Sequence, residues 1–369
     1  MSNTVRNQLP DASNQLRPGD RPENGDNSQR TSATQAEPPP RHVPEIQDDG
    51  ITALWTPPDP TQILADIYFV HGLTGHPFKT WHHSSRKFKI SKFLKRGSSA
   101  DIDRFDSAIP LCSRTRGCYW PLDLLPNDFD NVRIFTCGYN AWPTNFIFGG
   151  NRMNISQHSQ NLLQRIHSTR TACRGRPIIF VGHGLGGILI KDAVLESGKY
   201  REQPALKDIS DSCTAMFFFG TPHRGTDAAR YGVKLGMASE VLGLYINKSI
   251  LRALQRNGEY LSAIERDFND LLNDPIPPSE KIQICSFQEG RALTGLRFFP
   301  VKKVVDDSSA FFNRRDIEQT FFIDQHHRNM TRFKSASVAS YVDFKTAVGE
   351  FLRKIDADRH KNADGQLGN

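Results

Sequence analysis

"VGHGLGG", residues 181–187, follows the apolar run "PIIF" (177–180) and precedes the helix-like run "ILIKDAVL" (188–195). An apolar run, a cluster of glycines and a periodic run describe a strand that turns sharply into a helix. That is the setting of a nucleophile elbow, G-x-S-x-G, which exposes a serine hydroxyl on the apex of the turn. Gly182 and Gly186 occupy the outer positions of that pattern, and His183 and Gly187 flank them. The middle position, where the nucleophile belongs, holds Gly184.

Strand-like runs recur on both sides of this stretch. "ADIYFVHG" (65–72), "VRIFTCGY" (132–139), "RPIIFVGHG" (176–184), "CTAMFFFG" (213–220), "KIQICSF" (281–287) and "VKKVV" (301–305) read as buried parallel strands. "SQHSQNLLQRIHST" (156–169), "LGGILIKDAVLESG" (185–198) and "SYVDFKTAVGEFLRKI" (340–355) have helical periodicity. The alternation predicts an α/β fold, with a mostly parallel central sheet and helices on both faces. Ligands of such sheets bind in the loops at the carboxyl ends of the strands. Two stretches interrupt the alternation: an insertion at 82–131, which carries the basic run "RKFKISKFLKR", and residues 221–279. In the second, Ile250, Leu251, Leu254, Leu261, Ile264, Phe268 and Leu271 recur mostly at 3–4 spacing, the stripe expected of a helical cap.

The chain has 369 residues, enough for one large α/β domain at 51–356 with appendages. Residues 1–50 are rich in Pro, Asn, Asp, Arg and Gln, and 357–369 are similar, so both are expected to be disordered tails. A net charge of +7 is mild, and no RNP, zinc-finger or helix-turn-helix pattern accompanies it, so nucleic acid is not an expected partner. The six cysteines include no C-x-x-C pair, and Cys137, Cys213 and Cys285 fall in apolar runs as small hydrophobes, which points to a reducing compartment. The first twenty residues lack an apolar core, and no run approaches 18 apolar residues, so a cytoplasmic location is expected. Nothing calls for a metal or a cofactor.

Three loops carry the candidate chemistry. "YFVHGLTG" ends a strand in His71-Gly72-Leu73-Thr74-Gly75. In elbow-bearing hydrolases the loop at this place supplies one backbone N–H of the oxyanion hole, assigned here to Leu73; the second, from the residue after the elbow, falls on Leu185. "FFFGTPHRGT" (217–226) places His223 and Arg224 beside the presumed site, but the base of this fold comes last in chain order, so His223 is read as structural or as part of the rim. "FFIDQHHRNMTRF" (321–333) offers His326 and His327 as the general base. The carboxylate partner is Glu289, at the end of "ICSFQE", or alternatively Asp306 or Asp307 in "VVDDSSA".

Six motifs in order, "FVHGLTGHPFKTW", "CYWPLDLLP", "RIFTCGYNAW", "IIFVGHGLGGILIKDAV", "FFFGTPHRGT" and "DQHHRNMTRF", resemble those of eukaryotic serine-active-site-containing proteins. They are similar also to the lipase-like domains at the N-termini of many fungal NOD-like receptors. The resemblance covers roughly residues 50–355 and implies an α/β-hydrolase fold, an ester or lipid substrate class, and His327, three residues before Met330, as the base. Two departures stand out. Gly184 replaces the serine of the family's G-H-S-x-G-G, and Gly138-Tyr139-Asn140-Ala141 replaces its G-Y-D-A.

Removing a serine nucleophile costs about a millionfold in turnover where it has been measured. The expected function is therefore a catalytically impaired α/β-hydrolase-fold protein with a binding or signalling role, whose ligand is an acyl ester or lipid and whose partner is a signalling protein. The alternative is a working carboxylic ester or lipid hydrolase, or a lyase, that uses Thr221, His183 or a water held by His327. Membrane association has only the resemblance and the basic run behind it.

Overall fold

The computed structural model describes residues 43–85, 117–141, 155–224, 258–274, 281–292, 303–305 and 310–367. Runs of β-branched and aromatic residues form strands whose central members are buried on both faces. They are β1 (Gly50–Trp55), β2 (Ala65–Val70), β5 (Val132–Gly138), β6 (Ile178–His183), β7 (Cys213–Phe219), β8 (Gln283–Glu289) and β9 (Glu318–Ile323). They make a seven-stranded sheet in the order β1-β5-β2-β6-β7-β8-β9. The strands are parallel except β1, which pairs antiparallel with β5 from Gly50↔Gly138. A short ribbon of β3 (His82–Ser84) and β4 (Gly117–Tyr119) stands apart. The chain runs from β2 to β5 on one side, then crosses back to β6 on the other. That reversal opens a crevice at the carboxyl ends of β2 and β6, the place where α/β sheets bind ligands.

The period-two alternation of each strand sorts its side chains into two cores. Tyr68, Val70, Phe180, Met216 and Phe218 face one side. There they meet α3 (Ile155–Thr169), α4 (Leu185–Lys199), α5 (Pro204–Asp211) and α6 (Gly258–Asn273). Ile67, Phe69, Val181, Phe217 and Phe219 face the other. That side is covered by α1 (Trp120–Asp123), α2 (Leu125–Asp128) and α7 (Ala339–Leu367). The fold is an α/β-hydrolase fold. Helix α4 is buried almost all round because the sheet lies beneath it and α3, α5 and α6 pack about it.

Three expectations change. The strand expected at 301–305 does not form over the described residues 303–305, which bend. The N–H groups of Val304 and Val305 go to the Glu289 carboxylate instead of to a ladder. The last strand is β9, a half-exposed edge. The tail expected to run to residue 50 gives way to structure earlier, because Val43 and Ile46 pack on the core and Gly50 begins β1. Helix α7 continues past 356 to Leu367, supported by the ion pairs His360–Asp356 and Lys361–Asp358 along its own surface. Within 221–279, helix α6 packs along α4 through Leu261, Ile264, Phe268 and Leu272. Ile250, Leu251, Leu254 and the basic run at 86–96 lie outside the described residues. Among the described residues, no helix is long and apolar enough to cross a membrane.

A buried ionic knot closes the opposite end of the sheet. Asp66, at the start of β2, takes Arg133 Nε and Nη2 at 2.7 and 2.6 Å, Arg170 Nη1 at 2.7 Å and Arg176 Nη1 at 3.4 Å. Arg170 also reaches Asp208 at 2.9 Å. The knot ties β2 and β5 to α5 and to the turn before β6. Removing one member of a buried pair leaves the other charges unpaired and costs about 3–5 kcal/mol. Asp66→Asn is expected to lower the unfolding free energy in urea by that amount. A loss below about 1 kcal/mol would show that the arginines find other partners.

Candidate active site

Strand β6 ends at His183 and α4 starts at Leu185, so the whole change of direction falls on Gly184. Its φ of 53° and ψ of −122° lie where L-residues are rarely found. Its N–H donates to Phe219 O at 2.9 Å, and its carbonyl accepts from Gly187 N–H at 3.1 Å. The flanking glycines are demanded by close packing. A Cβ at Gly186 would overlap the carbonyl oxygens of His71 and Val70, and one at Gly187 the Thr221 hydroxyl. A Cβ at Gly182 would sit 2.7 Å from Gly187 Cα, and one at Gly72 2.7 Å from His183 O. The loops after β2 and β6 therefore meet backbone to backbone, and the Thr221 side chain packs on the second of them. Leu185 opens a fifteen-residue helix, where N–H groups have no partner within the helix.

In the loop after β2, the amides around Leu73 are committed. Thr74 N–H donates to Ala141 O at 2.9 Å, and Gly75 N–H to Gly72 O at 2.9 Å. Thr74 holds a φ of 58°. The His71 ring stacks on Tyr139 at 4.3 Å and 7°, and the Tyr139 hydroxyl donates to His71 O at 2.7 Å. Sequence reasoning did not assign Tyr139 a part, although "GYNA" at the end of β5 was its signal. His71 Nδ1 lies 3.0 Å from Gly72 O, which makes Nδ1 the protonated nitrogen and leaves buried Nε2 without a hydrogen-bond partner.

The loop after β9 is bound to the loop after β2. Thr331 Oγ1 donates to Thr80 O at 2.8 Å, and Trp120 Nε1 donates to Thr331 O at 2.8 Å. This places the His327 ring 4.6 Å from the His183 ring, with His183 Nε2 3.0 Å from His327 O. Glu289 Oε2 lies 3.9 Å from His327 Nδ1, close but beyond hydrogen-bond range. Its Oε1 accepts the Val305 N–H at 2.7 Å. The expected residues His327, Glu289, His183, Gly184, Leu73 and Leu185 thus gather around one crevice. Asp306 and Asp307 lie outside the described residues. His326 is half-buried beside His327, while His223 lies on the other core, between Phe218 and Phe312. The Thr221 hydroxyl is buried and unpartnered, against the first turn of α4. Among the described residues, no group of three or more His, Cys, Asp or Glu could hold a metal ion.

Burial governs the electrostatics. It pushes His71 down to about 3 and His183 to about 4. It also pushes His327 well below the usual histidine range, and the neighbouring His183, His326 and Arg328 add to that. The same burial raises Glu289 to about 7, against the backbone N–H groups of Val305, Val304 and His327. At neutral pH the imidazoles are uncharged, the form in which a histidine accepts a proton.

No family model matches the chain. It is similar to Protein SERAC1 of Mus musculus, 26% identical over 252 residues that make up 67% of this chain and 34% of that one. The Danio rerio protein of the same name is 29% identical over 203 residues, 53% of this chain and 28% of the relative. The chain spans about a third of the length of the curated relatives it matches. Among solved structures, esterase B from Lactobacillus rhamnosis overlays with a TM-score of 0.42 at 10% identity, covering 88% of this chain and 92% of that one. Mouse alpha/beta hydrolase domain-containing protein 10 overlays with a TM-score of 0.38 at 11% identity, covering 83% and 94%.

The shifted groups give the pH dependence of stability a sign. From about pH 4 to 6.5 the unfolded chain binds protons on the lowered histidines that the folded chain does not, so stability rises with pH. Glu289 works the other way between 4.5 and about 7, because the folded state keeps its proton longer. Denaturant unfolding is expected to show stability rising from pH 4.5 to 6.5. Glu289→Gln should steepen that rise by up to about 1.4 kcal/mol per pH unit. A slope unchanged by the substitution would contradict the raised carboxyl.

Proposed function

We propose that this chain is an α/β-hydrolase-fold protein in which an acyl-ester site is kept for binding while its nucleophile is missing. The observation that carries the reading is Gly184, with φ 53° and ψ −122° on the apex between β6 and α4. Every other part of an acyl-transfer site has a counterpart. The Leu73 and Leu185 amides are the donors for a carbonyl oxygen, His327 is the base, and Glu289 is its carboxylate partner. Acyl transfer needs a hydroxyl or thiol at the apex, and glycine supplies none. A non-glycine residue held in such a backbone region costs on the order of 1–3 kcal/mol, so glycine also relieves strain there. The ligand class is an acyl ester or lipid, and the output is binding or signalling to a partner protein in the cytoplasm. The similarity to SERAC1 proteins is consistent with this reading.

A second reading has one observation in its favour. The Thr221 hydroxyl is buried without a hydrogen-bond partner against the first turn of α4, so an ester hydrolase could use it, or a water held by His327, in place of a serine. At 1% exposure, Thr221 would need the loop to open before it met a substrate.

The unaltered protein is expected to cleave short-chain p-nitrophenyl esters no faster than background. Gly184→Ser should lose on the order of 1–3 kcal/mol of stability and gain measurable esterase activity. Because burial holds His327 below the usual histidine range, that activity should already be level above pH 6.5. It should disappear when His327→Ala is added and persist with His223→Ala or His326→Ala. Turnover by the unaltered protein of roughly 1–10³ s⁻¹, abolished by Thr221→Val, would replace the first reading with the second.

A further inference from the structure

The loop after β9 carries a half-buried guanidinium with no acid to balance it. Arg332 Nε is buried and has no hydrogen-bond partner, and the side chain's one hydrogen bond among the described residues runs from Nη1 to Asn329 Oδ1 at 3.4 Å. Among the described residues, no carboxylate pairs with it. Asp324, the acid nearest in sequence, is held by Arg291 at 2.6 Å. Buried charges are normally paired, and a lysine or histidine left unpaired can shed its proton. A guanidinium does not: burial, with Arg328 adding to it, brings Arg332 down only to about 10, so it stays charged at neutral pH. Arg328 stands one helical turn before Arg332. Met330 N–H donates to His326 O at 3.1 Å and Arg332 N–H to Asn329 O at 3.0 Å, so the two arginines share a face, where like charges repel. The same turn carries His326, whose Nδ1 is buried without a partner. The bond from Thr331 Oγ1 to Thr80 O brings residues 331–332 against residues 80–82. There His82, its ring stacked on Phe78 at 4.7 Å, holds a third unpartnered nitrogen, Nε2. Arg332 is the charge that acts on His82 most strongly, and it acts on His326 as well.

We propose that Arg332 and Arg328, with the imidazoles of His82 and His326, hold a phosphate dianion, free or as the monoester end of a small molecule. Two fixed guanidinium charges match a dianion, and the fork of Arg332 can grip two of its oxygens at once. Each neutral imidazole has one N–H to donate. The donors come from two loops, the one after β2 and the one after β9, which suits a tetrahedral oxyanion better than a planar carboxylate. All four side chains are partly exposed, so the ion reaches them from solvent and needs no enclosed cavity. Binding balances the charge that the fold leaves unpaired on Arg332. This inference rests on the His326–Arg332 turn and its contact with the loop after β2, and is independent of what happens at Gly184.

The test titrates the full chain with inorganic phosphate and with phenyl phosphate at constant ionic strength, in the slightly alkaline range where a phosphate monoester is a dianion, and follows the Arg332 Nε–H signal by NMR. Phosphate should shift that signal saturably, and acetate at the same concentrations should leave it unmoved. Phenyl phosphate matching inorganic phosphate assigns the site to a monoester; a response to inorganic phosphate alone assigns it to the free ion. By calorimetry, Arg332→Gln should weaken phosphate binding at least about tenfold, and Arg328→Gln or His82→Gln several-fold. Phosphate should also raise the melting temperature of the unaltered protein and leave that of Arg332→Gln where it was. Should Arg332→Gln fail to fold, the Arg332 signal of the unaltered protein and the affinity of Arg328→Gln decide the matter. An Arg332 signal that phosphate does not move, or phosphate bound as tightly after loss of either arginine, overturns the proposal.

Discussion

The backbone contact between the first turn of α4 and the end of β2 is the constraint on which the rest of the crevice depends. Helix α4 must leave β6 so abruptly that its second residue rests on the carbonyls of Val70 and His71, which only glycine at 186 allows. That contact fixes where the Leu185 amide points. It also holds the Gly72 turn against His183, and so brings the Leu73 amide to the same crevice. The third loop is fastened to this pair by Thr331 and Trp120, through bonds to Thr80 and from the indole. None of these contacts uses a side chain at position 184. The crevice therefore forms whether or not a side chain stands on its apex.

Tight backbone packing has an electrostatic consequence. Water is kept from the ends of the strands, and the ionisable groups there move toward their neutral forms. His71, His183 and His327 are lowered while Glu289 is raised, all chiefly by burial. The opposite end of the sheet solves the same problem differently. Asp66 stays buried because three arginines converge on it. One end of the sheet is thus stapled by charge and the other holds neutral acid–base groups in a dry crevice. Helix α4 belongs to both the crevice and the core, where Lys191 lies among the rings of Phe218, Phe268 and Phe312.

Much of this was legible in the sequence because it is encoded locally. Apolar runs at 65–72, 132–139, 176–184, 213–220 and 281–287 needed no partner to be read as strands, and the glycines of "VGHGLGG" need no tertiary context to demand a tight turn. The last strand was harder. "VKKVV" is locally a better strand than "EQTFFI", but the Glu289 carboxylate captures the amides of Val304 and Val305, so the ladder passes to Glu318–Ile323. That capture is a long-range event with no trace in either segment. Strand β1 was hidden for a related reason: its neighbour β5 decides its pairing, and the polar segment before it gives no strand signal. Of the crevice, the residue types and their order could be read in advance. The 3.9 Å separation of Glu289 from His327 and the Tyr139 stack under His71 could not, since both are set by packing between loops far apart in the chain.

The proposed function requires that the crevice bind an acyl ester and leave it intact. Amide NMR of the full chain titrated with ethyl hexanoate tests it most directly, with the ester assayed at the end. Saturable shifts are expected at the Leu73 and Leu185 amides, together with full recovery of uncleaved ester. Ester consumed faster than in buffer alone, or binding that leaves those two amides unmoved, would contradict it.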